Sequence, residues 1–252
     1  MIQIHSDSVL VFPSSMTDPS TSSSPLDFFV FRSLEQEQIP LDGSDAHGFR
    51  RAYCHLHVLS QDENGGLLEN NLLCESHQIL MSHRKGECTI GCYSDKPRVV
   101  EFEGDIHHYA LDVEEKMQRL IDDFNPRFFH IKWNVRRTHP HQALQDLLHL
   151  LTWLVSEFLS IHPFGDGNGR MVRLLFAYIL QAYGFPFPVP ISLVTSSEPY
   201  NLNSLKTYHS WCKILNQAQQ SQDLSLVHRI LTSSLTSSCQ LHHYPISGIV
   251  SC

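Results

Sequence analysis

Twelve consecutive residues, His162 to Arg173, combine the side chains and glycines that phosphate chemistry requires. The segment reads HPFGDGNGRMVR and lies between the two most apolar stretches of the chain. Gly165, Gly167 and Gly169 allow backbone conformations that other residues resist, so successive N–H groups can converge on one point at the start of a helix. Asn168 tolerates left-handed geometry and adds a side-chain donor. This pattern predicts an anion-binding cradle.

Two arginines follow the glycines. Arg170 and Arg173 are three residues apart, so in a helix they share the face beside the cradle. Two cations in a first turn oppose the helix dipole, each by roughly 0.3–1 kcal/mol, so a purely structural sequence would favour acids there. Solvated or ion-paired arginines are one interpretation. We favour the other, a fork that binds the phosphates of a nucleotide through bidentate contacts.

The same segment supplies an acid and a base. Asp166 would repel phosphate unless a cation lay between them, so it predicts a Mg²⁺ ion held by this carboxylate and by phosphate oxygens. A turn aspartate bound to its own backbone is the alternative. His162 ends the preceding helix, where a neutral imidazole could take a proton from an attacking hydroxyl, or could simply cap that helix. Pro163 and Phe164 are expected to anchor the loop.

The rest of the sequence must supply the elements that position these residues. Apolar spacing predicts helices over 45–59, 67–81, 113–124, 142–161, 169–183, 204–217 and 224–235. Glycines, Pro97 and β-branched residues between Gly86 and Tyr109 predict a short β-hairpin. We therefore expect a mostly α-helical fold, a helical bundle that carries one hairpin.

Composition narrows the function classes. The chain has 252 residues, 42% of them hydrophobic and 17% charged, with a formal net charge of −8. This charge argues against nucleic-acid binding as the main role. No apolar run approaches the roughly 20 residues that span a bilayer, so we expect no membrane-spanning segment and no membrane among the partners. The seven cysteines are odd in number and irregularly spaced, which favours a reducing compartment and a cytoplasmic protein.

The segment HPFGDGNGRMVR resembles the signature of the Fic family (filamentation induced by cyclic AMP), HxFx(D/E)GNGRxxR, at every fixed position. The order of predicted helices and hairpin is similar to the Fic core over about residues 66–235. The resemblance implies a Fic domain at 45–235. A flexible Ser-rich segment at 1–44 would precede it, and a tail at 236–252 would follow.

The resemblance further implies a protein adenylyltransferase that transfers AMP from ATP to a Ser, Thr or Tyr hydroxyl of a target protein. His162 corresponds to the general base and Asp166 to the Mg²⁺ ligand. The nucleotide-binding residues would be Gly167, Asn168, Gly169, Arg170, Arg173, Tyr208 and Asn216. The first three correspond to the α-phosphate site, the two arginines to the outer-phosphate site and the last two to the adenine pocket. The Arg98–Tyr109 hairpin resembles the family's flap, which aligns the target segment by strand addition.

Two departures from the family pattern concern the flap and regulation. A Gly-x-(Tyr/Phe)-Arg turn often precedes the flap, and the turn beginning at Gly86 lacks the arginine. Many relatives carry an inhibitory helix with (S/T)xxxE(G/N), and the segment 33–38, SLEQEQ, misses it only at the last position. We therefore expect the 1–44 segment to hold either a degenerate inhibitory helix or an ordinary polar helix end. In the first case Glu37 would pair with Arg173 and restrain activity.

Other functions stay open at this stage. The same scaffold could remove AMP from a modified protein, transfer phosphate or another phosphate-linked group, or persist as a silent peptide-binding module. A homo-oligomer is also compatible with the sequence. Cys88, Cys92 and His83 lack the second half of a zinc site. The chain contains no GxxxxGK[ST] loop, HExxH helix or GxSxG elbow, and its basic clusters are too small for a DNA-recognition helix.

Overall fold

The computed structural model describes residues 24–245 except positions 38, 85, 87–88, 97, 103–104, 110–111 and 193–203, with the backbone alone at 99–102, 105–108, 204–210 and 212. Within these residues helices predominate, as expected. They are α1 (Pro25–Glu35), α2 (Ser44–Ser60), α3 (Asn70–Leu80), α4 (Val113–Phe129), a π-helical segment (His130–Val135), α5 (Arg136–Thr138), α6 (Pro140–Ile161), α7 (Asn168–Tyr183), α8 (Ser204–Ser221) and α9 (Ser225–Leu241).

Helices α6 and α7 form the centre of the core. Both are buried along most of their length, which explains why their apolar residues cover more than one face. Pro140 begins α6 at a position where its missing N–H is not needed. Gly184, with φ +123°, ends α7, and the guanidinium of Arg136 donates a hydrogen bond to the last carbonyl, that of Tyr183. The loop between these two helices is therefore held at both sides by rigid elements.

A two-stranded antiparallel sheet occupies the segment predicted as a hairpin. Strand β1 runs over Arg98–Phe102 and strand β2 over Asp105–Tyr109. Arg98 pairs with Tyr109 at the open end, and Phe102 pairs with Asp105 at the turn end. A role of this hairpin as a flap that aligns a target peptide stays a prediction.

Part of the segment that we expected to be flexible is a packed helix. Residues 1–23 lie outside the described residues, but α1 begins at Pro25, and the hydroxyl oxygen of Ser24 caps it by accepting a hydrogen bond from the Asp27 N–H at 3.2 Å. Phe29 and Leu34 are fully buried. The boundary of the folded region therefore lies before residue 45, because this short helix covers apolar core.

Two further boundaries differ from the sequence prediction. Helix α4 continues through Pro126 to Phe129, where the neighbouring Phe128 is fully buried, instead of ending near 124. Helix α9 extends to Leu241, and Cys239 within it is buried, so the folded region does not end at 235. Among the described helices, none has the length and apolar character that crossing a membrane would require.

Candidate active site

Residues 162–167 join α6 to α7, and we call them the signature loop. His162 ends α6 in a left-handed conformation with φ 52°, and its backbone N–H donates to the Phe158 carbonyl at 2.9 Å. Gly167 is the N-cap of α7 with φ +78°. Of the three glycines in the segment, only Gly167 adopts a positive φ, which L side chains rarely adopt. The first N–H groups of α7 have no intrahelical partner and point toward the space in front of this cap.

Asn168 closes the signature loop through its side chain. Its Oδ1 accepts from the Phe164 N–H at 2.9 Å, and its Nδ2 donates to the Phe164 carbonyl at 2.8 Å. Phe164 itself is fully buried, as expected for an anchor. Both polar atoms of the Asn168 side chain therefore shape the loop. Its assignment to the nucleotide site stays a prediction.

His162 lies beside the open end of the hairpin. Its ring stacks on Tyr109 with centroids 4.4 Å apart. Burial, together with the charge of Arg98, lowers the pKa of His162 to about 4, against a hydrogen bond to the Leu159 carbonyl that raises it. The imidazole is therefore neutral at pH 7. A neutral imidazole keeps one ring nitrogen unprotonated, and this nitrogen can accept a proton.

Arg173 is almost completely buried and is bound by the two residues that follow α1. The Oε1 atom of Glu37 accepts a hydrogen bond from its Nη1. The Oε1 atom of Gln36 accepts from Nη2 at 3.0 Å and from Nε at 3.3 Å. Gln36 is itself fixed, because its amide nitrogen donates to the Ile191 carbonyl at 2.7 Å. The contact between Glu37 and Arg173 that we hypothesised from the near match to the inhibitory motif is thus present, and its regulatory role is a proposal.

Gly169 lies directly under this contact. A Cβ atom at this position would be 2.6 Å from Oε1 of Glu37 and 3.2 Å from Nη1 of Arg173. Gly169 does not need a positive φ. Its lack of a side chain therefore leaves room for an anionic group above the first turn of α7, and a carboxylate of the chain itself fills that room.

Arg170 is surrounded by three acids, although its side chain is only 3% exposed. Its Nη1 contacts Asp45 from the start of α2, its Nη2 lies 3.4 Å from Asp166, and its Nε lies 3.5 Å from Glu37. Both arginines predicted as a phosphate fork thus meet at Glu37. They are ion-paired, as the structural alternative requires, and their partners are acids at the position where phosphate was expected.

Asp45, Arg84, Asp166 and Arg170 form a closed set of contacts that we call the acid–arginine ring. Arg84 lies 3.0 Å from Asp166 and 3.3 Å from Asp45, and Arg170 contacts the same two acids. His83 also approaches Asp45, at 3.0 Å. Burial raises the pKa of Asp45, but the charges of Arg170, Arg84 and His83 outweigh it, so the pKa stays below its ordinary value.

Asp166 has the features that a Mg²⁺ ligand of a nucleotide site would need. Its side chain is 44% exposed, and its Oδ1 accepts from the Gly167 N–H at 2.6 Å, which fixes the carboxylate over the N-cap of α7. The described residues contain no group of three or more His, Cys, Asp or Glu side chains arranged as a metal site. A single carboxylate suits Mg²⁺ when phosphate oxygens and water complete the coordination. The residues therefore fit a metal that arrives with a nucleotide.

The sequence prediction missed the residues that reach the site from other elements. Asp45, His83, Arg84 and His77 lie 78 or more positions before the signature loop, and no local motif marks them. Burial lowers the pKa of His77, which contacts the Asp166 backbone, to about 4.

One local sequence signal was present before the hairpin. Gly91, Cys92, Tyr93 and Ser94 contain a Gly-x-Tyr, and the Ser94 N–H donates to the Pro163 carbonyl at 2.8 Å. This Gly-x-Tyr turn, with serine in its fourth place, therefore contacts the signature loop directly.

The two residues predicted for the adenine pocket lie on a helix that follows the family signature in the chain. Both Tyr208 and Asn216 lie on α8. The side chain of Tyr208 is outside the described residues, and Asn216 is half-buried. Their role in binding a base stays a prediction.

Comparison with known proteins identifies the segment that contains the site. Residues 67–180 match the model of the Fic/DOC family. A Fido domain-containing protein of Dictyostelium discoideum is 68% identical over 40 residues, and the protein adenylyltransferase fic-1 of Caenorhabditis briggsae is 32% identical over 92 residues. A ribonucleoside-diphosphate reductase small chain of Ostreid herpesvirus 1 is 29% identical over 131 residues.

These matches are partial on both sides. They cover 16%, 27% and 49% of this chain and 28%, 18% and 21% of the three relatives, respectively. Among solved structures, a Fic domain containing signaling protein from Bacteroides thetaiotaomicron is similar over 89% of this chain and 84% of its own, with a TM-score of 0.59 and 19% identity. At this identity the likeness establishes the fold, and the names of the relatives do not settle the reaction.

Proposed function

Residues 67–180 belong to the Fic/DOC family, and from this premise we propose that the protein is an adenylyltransferase that moves AMP from ATP to a hydroxyl of a target protein. The observation that carries the proposal is the place taken by Glu37. Its carboxylate lies above Gly169 at the start of α7 and contacts both Arg170 and Arg173. A site that holds a carboxylate against two buried arginines and a helix N-terminus has the charge and the donors to hold phosphates.

The residues divide the work of the reaction between them. The N-cap at Gly167 and the first turn of α7 would hold the α-phosphate, and Arg170 and Arg173 would hold the outer phosphates once Glu37 leaves. Asp166, with phosphate oxygens and water, would hold Mg²⁺, which supplies positive charge to the phosphates and to the leaving group when bound. Positioning and charge stabilisation of this kind account for most catalysis of phosphate transfer.

His162 would act as the proton acceptor. The hydroxyl oxygen of the target attacks the α-phosphorus, and the bond from this phosphorus to the oxygen that bridges to the β-phosphate breaks. Pyrophosphate leaves with the bonding electron pair, and the hydroxyl proton passes to the unprotonated ring nitrogen of the neutral His162. The neutral state of this imidazole, which stacks on Tyr109 at the end of the hairpin, supports the assignment. A target segment beside the hairpin would then present its hydroxyl next to His162.

We further propose that the described conformation is a restrained one. Glu37 and Asp45 together supply two negative charges to the arginines that the phosphates of ATP would need. ATP must therefore displace at least the carboxylate of Glu37, because both would lie over Gly169. Glu37 thus has the place of an internal inhibitor.

The position of the label in ATP distinguishes AMP transfer from phosphate transfer. Purified wild-type protein and the Glu37→Gly variant are incubated with Mg²⁺ and a cell lysate, once with ATP labelled at the α-phosphate and once with ATP labelled at the γ-phosphate. His162→Ala is the inactive variant. His141→Ala, at an exposed position of the same helix α6, is the matched control. We expect protein labelling from the α-position alone, stronger with Glu37→Gly, absent with His162→Ala and unchanged with His141→Ala.

Other outcomes assign other functions. Label from the γ-position alone would make the protein a kinase and reject AMP transfer. Absence of label from either position, even with Glu37→Gly, would also reject it and would leave removal of AMP or a non-enzymatic binding module, which release of AMP from a pre-labelled lysate separates.

A further inference from the structure

A histidine outside the signature loop joins this loop to the segment that leads into the hairpin. His77 lies on α3 and is completely buried. Its Nδ1 accepts a hydrogen bond from the backbone N–H of Gly91 at 3.0 Å. Its Nε2 lies 3.0 Å from the backbone carbonyl of Asp166. Both ring nitrogens are therefore used, one on each of two loops that are 75 residues apart in sequence.

The partners of His77 fix its tautomer. An N–H can only donate, so Nδ1 must be unprotonated where it meets Gly91. The ring proton is then on Nε2, which donates to the carbonyl oxygen of Asp166. No amino acid other than histidine offers an acceptor and a donor on one planar ring in this way. The imidazole thus accepts a hydrogen bond from one loop and donates a hydrogen bond to the other.

Ring packing adds a third connection. The imidazole stacks on Phe164 of the signature loop, with centroids 3.9 Å apart and an angle of 7° between the planes. The ring of Tyr93 also contacts Phe164, with centroids 5.4 Å apart, and the Ser94 N–H donates to the Pro163 carbonyl at 2.8 Å. The 91–94 segment therefore packs along the signature loop. Ser94 contacts the loop directly, and Gly91 is joined to it through His77.

Gly91 is the residue that permits this approach. Its φ is +72°, and a Cβ atom there would lie 2.9 Å from Cβ of Gln78 on α3. A side chain at position 91 would push the segment away from α3 and lengthen the hydrogen bond to His77. Helix α3 thus holds both the segment that leads into the hairpin and the signature loop in place.

We propose that His77 is a positioning residue, which holds the Asp166 backbone and the lead-in of the hairpin in register so that the metal-binding carboxylate and the target segment meet correctly. The proposal rests on the proposed function, because it assigns Asp166 to the metal and the hairpin to the target. Without the imidazole, the Asp166 carbonyl and the Gly91 N–H lose these partners. A displacement of about 1 Å at a reacting group can lower a rate by about 100-fold.

Two substitutions separate the hydrogen bonds from the packing. His77→Phe keeps a ring against Phe164 and removes both hydrogen bonds. His77→Gln removes the ring but offers one acceptor and one donor about as far apart as the two ring nitrogens. His57→Phe is the matched control, because His57 stacks on Tyr53 in α2, with centroids 5.7 Å apart, and does not touch the signature loop. Each variant is made in the Glu37→Gly background, with thermal unfolding as the check of folding.

Three readouts are measured: hydrogen exchange of the Gly91 amide, the dissociation constant of Mn²⁺–ATP, and kcat and KM for AMP transfer. For His77→Phe we expect faster exchange at Gly91, at least tenfold weaker Mn²⁺–ATP binding, and a fall of about 100-fold in kcat/KM that lies mainly in kcat. His77→Gln should restore each value to within about tenfold of the parent, and His57→Phe should match the parent.

The proposal and the proposed function can fail separately. Parent-like Mn²⁺–ATP binding and transfer in His77→Phe would overturn the positioning role, as would a His77→Gln variant that behaves no better than His77→Phe. If the parent itself transfers no AMP, the proposed function is rejected. The Gly91 exchange and the Mn²⁺–ATP affinity then decide the role of His77 by the same comparisons.

Discussion

The carboxylate of Glu37 lies against the guanidinium of Arg173, although the two residues are 136 positions apart. The same carboxylate is 3.5 Å from Nε of Arg170. Glu37 follows α1, which is the helix nearest the N-terminus in the described part of the chain, and Gln36 beside it also holds Arg173. The occupant of the proposed phosphate site is therefore carried by a short helix outside the family match, so a change in that helix would change access to the site.

Removal of the Glu37 carboxylate should open the site to nucleotide. In Glu37→Gly, Arg170 and Arg173 lose one internal anion, and we expect the dissociation constant of Mg²⁺–ATP to fall about tenfold. Calorimetric titration measures it without any need for catalysis. Glu35→Gly is the matched control, because Glu35 lies two residues earlier and pairs with Arg32 at 2.9 Å instead of with Arg170 or Arg173, and it should leave the affinity unchanged. Equal affinities for wild type and Glu37→Gly would remove the case for an internal inhibitor.

The contact of Asp45 with Arg170 should support the nucleotide-free protein. Asp45→Ala leaves the buried Arg170 with fewer acids, and we expect a loss of about 2 kcal/mol in the free energy of unfolding, a fall of about 4–8 °C in Tm for a chain of this size. Phosphates would then take the place of Asp45, so the rise in Tm on addition of Mg²⁺–ATP should be larger in the variant than in wild type. Differential scanning calorimetry with and without nucleotide measures both.

Asp27→Ala provides the comparison for this experiment. Asp27 pairs with Arg50 between α1 and α2 at 3.4 Å, and its side chain is 22% exposed, close to the 19% of Asp45. Its loss should lower Tm without enlarging the effect of nucleotide. A nucleotide effect that is the same in Asp45→Ala and Asp27→Ala would mean that Asp45 does not compete with phosphate.

The parts of the site that could be predicted from the sequence are those that are contiguous in it. His162, Asp166 and Arg173 lie within twelve residues, so their spacing on a loop and the first two turns of a helix determines which faces they share. The acid–arginine ring could not be predicted in this way, because Asp45 lies at the start of α2 and Arg84 in the segment that follows α3. Only the packing of those helices brings them to the loop.

The fold shows the same division. The long helices α6 and α7 were predicted within two residues, because their apolar pattern is strong and Gly184 marks the end. Helix α1 lies in the 1–44 segment, for which the sequence predicted a flexible Ser-rich stretch with either a degenerate inhibitory helix or a polar helix end at 33–38. Ser24 and Pro25 were its start signal, a cap followed by proline at the first helical position. The apolar residues of α1 do not form a long pattern, and burial against the core stabilises the helix.

The space above Gly169 can be tested through its coupling to Glu37. In wild type, Gly169→Ala would place a methyl group 2.6 Å from the Glu37 carboxylate, so one of them must move, and we expect a loss of about 1–2 kcal/mol in the free energy of unfolding. In the Glu37→Gly background the same change should be neutral or stabilising, since alanine is a better helix former than glycine by about 1 kcal/mol. Denaturant titration of the four proteins gives the coupling energy. In a Glu35→Gly background the loss should persist, and a coupling near zero with Glu37 would show that the two groups do not share this space.

The buried state of His162 should make the protein less stable in acid. Its folded-state pKa is about 4, below the ordinary value of 6.5, because burial and Arg98 on β1 disfavour the charged form, while Tyr109 on β2 stacks on the ring and the charge of Asp166 acts in the opposite direction. Between these two pKa values the unfolded chain binds the proton and the folded chain does not. Stability is therefore lost as the pH falls from about 6.5 toward 4.

Between pH 7 and pH 5 this difference amounts to about 2 kcal/mol in the free energy of unfolding. His162→Gln has no proton to gain, so its stability should fall by about 2 kcal/mol less than that of wild type over this range, measured by denaturant titration at each pH. His141→Gln, at an exposed position of the same helix, should follow the wild-type pH dependence. Parallel curves for wild type and His162→Gln would mean that His162 titrates in the folded protein as it does in the unfolded chain, and a neutral proton acceptor at pH 6 would then have to be sought elsewhere in the site.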